Sequence, residues 1–292
     1  MERTPTIPGL STLAPRYEVL LCDVWGVIHN GREAYPGVVE CLQRARREGV
    51  VVLLLSNAPR PNGPIREQLA DLGVPAEAYD TIVTSGDLTR ELLAERGSAA
   101  RPLKLHHVGP DRCMPLFEGL HVVRVAMADA EAIVCTGPFD DTKEGPDDYR
   151  DYWRDALTRK LPFYCANPDL VVQRGDQLIY CAGALAKAYE NQGGEVLYLG
   201  KPHLPVYDLV DRRLTETAGR AIPRAKWLAI GDGLKTDIAG AKRAGIDALL
   251  ITGGIHEGEL SNAAGVPDEE KIAAVLTAQQ LSAVAAMRRL VW

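Results

Sequence analysis

The sequence predicts an α/β fold with a central parallel sheet. Short β-branched apolar runs alternate with helical patterns along the chain of 292 residues, which is typical of strand-helix units around such a sheet. Two of these runs lead to an acidic residue: residues 17–22 are followed directly by Asp23, and residues 227–230 are followed by Gly231 and then Asp232. Because the carboxyl ends of parallel strands share one edge of a sheet, we expect the two carboxylates to meet there.

The first part of the chain is predicted as three successive strand-helix units. The Asp23 strand is followed by a polar, Gly-rich flap; Pro36 at a first helical position opens the next helix and Gly49 ends it. The predicted elements are the strand 17–22, the flap 26–35, the helix 37–48, the strand 50–55, a helix near 65–72, the strand 81–85 and a helix to about 96.

The middle of the chain has strand and helix patterns of its own, so we expect an inserted domain at residues 102–195 and a discontinuous core of residues 1–101 and 196–292. An acidic stretch, residues 140–148, has no metal-ligand spacing and is interpreted as a solvated start of a helix. The insert is predicted to contain strands at 103–108, 122–125, 132–135 and 163–166 and helices at 149–159 and 183–190. The core is predicted to resume with a strand at 196–199, a helix at 205–217, the Asp232 strand, a helix at 237–244 and a strand at 248–251.

Composition excludes several classes of partner. The net charge is −6, and no Lys/Arg cluster lacks interleaved acids, which argues against nucleic acid and anionic membranes. The six cysteines form no CxxC pair and lie mostly in apolar runs, so we interpret them as buried side chains in a reducing compartment. No apolar stretch is long enough to span a membrane, and the first residues do not have the pattern of a signal peptide. We therefore expect a cytoplasmic protein.

The strand-end carboxylates predict a nucleophile and a hard metal ion. Asp23 can attack phosphorus to give an aspartyl phosphate, although an Asp after an apolar run is also common as a cap or turn residue. In the segment Gly231-Asp232-Gly233-Leu234-Lys235-Thr236-Asp237, Asp232 ends a strand and Asp237 opens a helix. Both carboxylates can face one Mg²⁺ site, the alternative being an N-cap pair without metal, which leaves Asp232 unexplained.

Two further motifs in the predicted core are suited to binding phosphate. Ser56 and Asn57 follow a buried strand and offer a hydroxyl and backbone N–H groups, although Ser-Asn is also ordinary turn chemistry. Lys201 lies in Gly200-Lys201-Pro202 after another apolar run, where a catalytic cation can neutralise both a phosphoryl group and the attacking carboxylate. A solvated loop lysine is the alternative.

Taken together, these motifs resemble those of the haloacid dehalogenase (HAD) superfamily in its class IIA branch, which includes NagD-like and 4-nitrophenyl phosphatases. The resemblance covers residues 17–254 and also rests on Thr84-Ser85, Asn167-Pro168-Asp169 and Gly183, all in family order. It implies a Rossmann-like parallel-sheet core with an inserted α/β class II (C2) cap domain. Class II caps are inserted between the phosphate-binding serine and lysine motifs, and the insert here lies between Ser56 and Lys201.

The resemblance implies a metal site and a nucleophile. Asp23 would be the nucleophile and a Mg²⁺ ligand, with Asp232 and the backbone carbonyl of Trp25 as further ligands and Asp237 as their support.

The resemblance also implies residues that bind a small phosphorylated substrate. The phosphoryl group would be held by Ser56, the amide of Asn57 and Lys201, and the leaving group would be contacted by Asn167 and Asp169 on the cap. Arg174 is a further candidate that a surface role explains equally well.

Trp25 departs from the family pattern. Family phosphatases carry an Asp at this position, which protonates the leaving oxygen and later deprotonates the attacking water. Indole can do neither, so general acid and base assistance worth roughly 10²–10⁴ in rate is missing. His29 on the flap is one candidate substitute, and a surface role is its alternative.

Three functions therefore remain open. The first is a Mg²⁺-dependent phosphatase that is slow or restricted to good leaving groups. The second is a phosphometabolite-binding or regulatory protein without turnover. The third is a 2-haloacid dehalogenase, whose cap position and lack of metal fit this chain poorly. The oligomeric state is open between a monomer and a homodimer formed through the cap.

Overall fold

The chain is described by a computed structural model that covers residues 4–174 and 177–292. It divides into two compact units, each discontinuous in sequence. The first unit runs to Ser56 and also includes Arg66–Val83 and Tyr207–Trp292, and the second comprises Asn57–Ile65 and Thr84–Val206. These bounds differ from the predicted insert at residues 102–195, so that division of the chain into core and cap stays a prediction.

The strands and helices of the described residues follow one another along the chain as predicted for an α/β protein. The strands are β1 Val19–Cys22, β2 Val51–Ser56, β3 Thr81–Thr84, β4 Leu103–Val108, β5 Val122–Arg124, β6 Ala132–Cys135, β7 Phe163–Cys165, β8 Val171–Arg174, β9 Gln177–Tyr180, β10 Val196–Tyr198, β11 Trp227–Gly231, β12 Asp247–Ile251 and β13 Ala285–Met287. The helices are α1 Val38–Arg47, α2 Asn62–Asp71, α3 Ser85–Arg96, α4 Arg154–Thr158, α5 Ala182–Asn191, α6 Leu204–Ala218, α7 Ala239–Ala244, α8 Glu257–Leu260 and α9 Glu269–Ala278.

The first unit is built on a sheet with the strand order β13-β12-β11-β1-β2-β3. Its central strand β1 is buried along its whole length, which explains its unbroken apolar sequence. It runs parallel to both neighbours, and Val19 is aligned with Trp227 of β11 and with Val51 of β2. Because β1, β2 and β11 run in the same direction, the residues that follow them lie at one edge of the sheet.

The second unit contains a sheet with the order β10-β7-β6-β4-β5, in which every neighbouring pair is parallel. The same unit also contains the antiparallel pair β8 and β9. Its core includes the fully buried aromatic residues Trp153, Phe163 and Tyr189, which pack edge to face with the Trp153 ring 5.5 and 5.7 Å from the other two. The second unit therefore has an apolar core of its own, and the predicted fold class, a parallel α/β core with an added α/β part, is confirmed.

Two local predictions were wrong in detail. The predicted helix at 149–159 is reduced to α4, preceded by the short 3₁₀ turn Pro146–Tyr149. The acidic stretch before it caps that turn, since the Asp148 carboxylate accepts the Gly145 N–H at 2.8 Å. Helix α1 begins at Val38 after Gly37 in the left-handed region (φ +82°), so Pro36 lies outside the helix.

The pair β8 and β9 and the edge strand β13 were not predicted. All six cysteines are buried, as expected. In the part of the chain that the structure describes, no helix combines the length and apolarity that a membrane crossing requires.

Candidate active site

Three carboxylates meet at the carboxyl edge of the first unit's sheet. Asp23 follows β1, Asp232 follows β11, and Asp237 lies in a π-helical turn just beyond it. One carboxylate oxygen from each lies within 4.8 Å of those of the other two. The three residues are nearly buried, with exposed fractions of 9%, 6% and 5%. The sequence-predicted meeting of these acids is thus found within one compact unit.

Two glycines make room for the Asp232 carboxylate. Gly26 has φ +87°, and a Cβ atom there would lie 2.6 Å from Asp232 Cγ and 2.8 Å from its Oδ1. On the other side, a Cβ atom at Gly254 would also collide with the Asp232 side chain. The next residue, Ile255, donates its backbone N–H to Asp232 Oδ2 at 2.8 Å. Asp232 is therefore fixed by close backbone approach, which only glycine allows at these positions.

Asp237 is positioned by its own loop. Its Oδ2 accepts the Gly233 N–H at 3.0 Å, and a Cβ atom at Gly231 would lie 2.5 Å from the same oxygen. The π-helical turn Leu234–Ile238 places the carboxylate at the start of the following helix. Such turns often occur at functional sites.

The chemistry of this donor set fits a hard divalent cation. Three buried carboxylates of like charge repel one another in a region of low dielectric, and oxygen-only ligand sets are what Mg²⁺ and Ca²⁺ prefer. Asp23, Asp232 and Asp237 would hold such an ion or support its ligands. The participation of the Trp25 backbone carbonyl stays a prediction.

Trp25 and His29 form a small packed cluster in the flap after β1. The two rings meet edge to face at 5.1 Å, and a Cβ atom at Gly31 would lie 2.6 Å from the six-membered ring of the indole. His29 is buried, and its Nδ1 accepts the Gly31 N–H at 2.9 Å. Burial lowers the pKa of His29 to about 4. The ring is therefore neutral near pH 7, which weighs against the hypothesis that His29 is a proton donor; its suggested surface role is wrong.

Tyr35 and Arg289 lie beside Asp232 and were not found from the sequence. The Arg289 guanidinium stacks on the Tyr35 ring, 4.0 Å from its centre, and donates to the carbonyl of Gly253. Burial raises the pKa of Tyr35, Arg289 lowers it, and the nearby charges of Asp232 and Glu257 raise it. Arg289 thereby supports the loop that carries the Asp232 hydrogen bond. Only the Gly-Gly pair at 253–254, after a strand, could have signalled this loop.

In the second unit, Asn57 is a structural link between predicted site residues. Its Oδ1 accepts the backbone N–H of Lys201 at 2.8 Å, and its Nδ2 donates to the Lys201 carbonyl at 3.1 Å. Ser85 also donates to Asn57 Oδ1, at 3.2 Å. A Cβ atom at Gly200 would lie 2.6 Å from the same oxygen, so a glycine is required before Lys201. The Asn57 side chain thus fixes the backbone of the buried Lys201, and only its main-chain amide remains for the predicted phosphate contact.

Asn167 and Asp169 belong to the same hydrogen-bond network. Asn167 Oδ1 accepts the Asp169 N–H at 3.0 Å, and Asp169 Oδ1 accepts from Asn57 Nδ2 at 2.8 Å. A Cβ atom at Gly183 of α5 would lie 2.5 Å from the Asp169 carbonyl, so this helix supports the loop closely. The predicted roles of Asn167 and Asp169 toward a leaving group stay predictions.

The predicted site residues form two groups. The first unit brings together Asp23, Asp232 and Asp237, and it contains Ser56, which is buried at the end of β2 next to the Asp23 strand. The second unit brings together Asn57, Asp169 and Lys201. Ser56 and Asn57 are consecutive in sequence, and a single site that uses both groups stays a prediction. Arg174 lies on β8 and forms an ion pair with Asp141 at 3.0 Å.

Comparison with known proteins gives a consistent picture. Residues 20–122 match the family model described as haloacid dehalogenase-like hydrolase, and residues 198–278 match a second model described as HAD-hydrolase-like. A crystal structure of a hydrolase of the haloacid dehalogenase-like family from Brucella suis is 41% identical, with a TM-score of 0.85, and the match covers 98% of this chain and 100% of that one.

Curated relatives are more distant. D-glycerol 3-phosphate phosphatase from Mycobacterium tuberculosis is 27% identical over 85% of this chain, which spans 66% of that protein's length. Chronophin from Bos taurus is 26% identical over 90% of this chain and 91% of its own length.

Proposed function

The chain belongs to the haloacid dehalogenase-like hydrolases, and we propose that it is a Mg²⁺-dependent phosphatase acting on a small phosphorylated metabolite through an aspartyl-phosphate intermediate. The observation that carries the proposal is the cluster of Asp23, Asp232 and Asp237, three buried carboxylates at one sheet edge. The matches to phosphatases support the choice of phosphate esters over other substrates.

Asp23 acts as the nucleophile in this proposal. One carboxylate oxygen forms a bond to phosphorus while the ester oxygen departs with the bonding electrons, and water then attacks the same phosphorus and returns the carboxylate. A bound Mg²⁺ would supply positive charge against the phosphoryl oxygens. Asp232 and Asp237, held by the N–H groups of Ile255 and Gly233, keep the donor set in place.

Ser56, the Asn57 N–H and the Lys201 ammonium group hold the phosphoryl oxygens. Buried donors of this kind stabilise developing charge without reorganising, because they are already fixed before the substrate arrives. The Asn57 side chain contributes indirectly, since it holds the Lys201 backbone through two hydrogen bonds. Asn167 and Asp169 lie on the loop that would meet the leaving group.

Trp25 makes the proposed enzyme selective for its leaving group. An indole carries no transferable proton at neutral pH, and the neutral His29 is a poor donor because its pKa is lowered to about 4 by burial. The leaving oxygen must then depart with little proton transfer from Trp25 or His29. Aryl and acyl phosphates should be hydrolysed much faster than alkyl phosphates, by roughly the 10²–10⁴ that general acid catalysis supplies.

The experiment is steady-state phosphate release from 4-nitrophenyl phosphate, with and without Mg²⁺. We expect metal-dependent turnover that Asp23→Asn abolishes, since the amide has nearly the same shape but is a poor nucleophile. Asp71→Asn, at an exposed position at the end of α2, is the matched control and should retain turnover. Turnover in Asp23→Asn close to wild type would contradict the assignment of the nucleophile.

A second candidate is a phosphometabolite-binding protein without turnover, favoured specifically by Trp25. It predicts that wild-type protein binds inorganic phosphate in a Mg²⁺-dependent manner but hydrolyses neither aryl nor alkyl phosphates. The partners follow from either proposal: a small phosphorylated molecule, with neither nucleic acid nor membrane. A homodimer formed through the cap remains the alternative to a monomer.

A further inference from the structure

The second unit contains an arginine cluster outside the residues assigned to phosphoryl transfer. Asp141 has a side chain only 8% exposed, and its Oδ2 accepts from Nη2 of both Arg112 and Arg174, in the latter case at 3.0 Å. Arg112 lies in the 3₁₀ turn Asp111–Phe117 and Arg174 on β8. The cluster therefore joins segments that are distant in sequence around one carboxylate.

Both arginines use little of their hydrogen-bonding capacity on Asp141. A guanidinium carries five N–H donors in a planar fork that matches a carboxylate or phosphate in two-point contact. Here Arg112 and Arg174 each approach one oxygen through a single terminal nitrogen. Within residues 4–174 and 177–292, their remaining side-chain donors have no protein partner, and the side chains are 49% and 38% exposed.

The charge of the cluster is unbalanced in favour of the cations. The guanidinium groups of Arg112 and Arg174 share the single carboxylate of Asp141. One carboxylate neutralises one arginine, so holding the second arginine within range costs repulsion that an anionic ligand would offset.

The cluster adjoins the loop predicted to meet the leaving group. Arg174 ends the strand β8, which begins two residues after Asp169. The buried Cys181 thiol, whose pKa burial raises, is acted on by the charges of Asp169, Asp141 and Arg174. All of these residues belong to the second unit. Asp169 and two members of the cluster therefore lie within electrostatic range of the same thiol.

We propose that Arg112 and Arg174 bind a second anionic group of the substrate, a carboxylate or a second phosphate, while Asp141 holds the two guanidinium groups in place. The inference rests on the proposed function and narrows its substrate class to phosphate esters with two anionic groups. Arginine suits this task because its fork recognises planar or tetrahedral oxyanions by geometry as well as charge.

The test compares matched esters. A series of ω-carboxyalkyl phosphates and α,ω-alkane bisphosphates of increasing length is measured against alkyl phosphates of equal length that carry a terminal hydroxyl. We expect wild type to prefer one ester that carries the second anionic group by about 10-fold to 100-fold in kcat/KM, through KM, as charge-assisted hydrogen bonds predict. The carboxylate and bisphosphate arms show which anion is taken.

The variants Arg112→Gln and Arg174→Gln should reduce that preference about 10-fold or more. Arg154→Gln is the control, because Arg154 pairs with Asp151 on the surface of the same unit and is 77% exposed. Arg174→Lys keeps the positive charge but loses the forked guanidinium, so its preference for the ester with a second anionic group should lie between those of wild type and Arg174→Gln. This variant replaces the glutamine variants in the test if calorimetry shows that they are unfolded. No preference in wild type at any length, or equal loss in Arg154→Gln, would overturn the inference.

Failure of the proposed function would look different. If no ester is hydrolysed with Mg²⁺, the phosphatase assignment fails, and the cluster is then tested by calorimetric titration with pyrophosphate and with succinate. Binding that both glutamine variants weaken and Arg154→Gln keeps would support the anion site without the activity. Equal binding in all four proteins would overturn it.

Discussion

Gly26→Ala tests how tightly the chain is built around Asp232. An alanine at φ +87° costs roughly 1–2 kcal/mol of unfolding free energy, because Cβ crowds the backbone in the left-handed region. The added methyl would also lie 2.6 Å from Asp232 Cγ, so the carboxylate must shift. Displacing a ligand or its support typically weakens metal binding by roughly 10–100-fold.

Gly49→Ala provides a matched control. Gly49 has φ +83° after α1, and a Cβ atom there would have no other atom within 4 Å. It should show the same backbone cost of roughly 1–2 kcal/mol but unchanged Mg²⁺ affinity. Urea denaturation gives the unfolding free energies, and isothermal titration calorimetry gives the Mg²⁺ affinities. Equal Mg²⁺ affinity in Gly26→Ala, Gly49→Ala and wild type would refute the claim that Asp232 holds the metal in this position.

Four further predictions follow from the site. Asp232→Asn should weaken Mg²⁺ binding by roughly 10-fold or more in calorimetry, and unchanged affinity would remove Asp232 from the ligand set. Arg289→Gln should weaken it less, by up to about 10-fold, because it acts through the Gly253 loop; an effect larger than that of Asp232→Asn would point to a direct role. Trp25→Asp should raise alkyl phosphate turnover by roughly 10²-fold in steady-state assays. Loss of the indole packing on Gly31 lowers stability, so folding is measured as well; no gain in a variant that still folds would mean that the missing acid does not limit the rate. Burial lowers the pKa of folded His29 to about 4, whereas the unfolded residue takes up a proton near pH 6.5, so stability should fall as the pH drops from 6.5 to 4. His29→Asn should remove about 3 kcal/mol of that fall in denaturation curves, and a pH profile identical to that of wild type would contradict this prediction.

The carboxylate cluster could be predicted from sequence because its geometry is a property of strands. Asp23 and Asp232 each follow a buried run, and parallel neighbours bring their ends to one edge whatever the intervening chain does. The same reasoning placed Ser56 at the end of β2. What it required was only the apolar pattern and the common direction of the strands.

The supporting residues could not be predicted, since they depend on contacts without local pattern. His29 lies in a polar flap, but packing against Trp25 and Gly31 buries it. Arg289 follows β13, a short strand without a clear sequence pattern. The Arg289 side chain contacts Gly253 only in the folded chain.

The interpretation of residues 140–148 as a solvated helix start was also incomplete. The Asp141 side chain is only 8% exposed and pairs with two arginines from distant segments, and nothing in the spacing of the acidic stretch indicates those partners. Long-range ion pairs of this kind become visible only in the structure.

The proposed function requires that Asp23 becomes phosphorylated during turnover. The direct measurement is peptide mapping by mass spectrometry after acid quenching of protein mixed with 4-nitrophenyl phosphate and Mg²⁺. We expect one phosphoryl group on the peptide that contains Asp23, absent in Asp23→Asn and in protein without Mg²⁺. Hydrolysis that proceeds in Asp23→Asn at the wild-type rate, with no phosphorylated Asp23 peptide from wild type, would show that Asp23 is not the nucleophile.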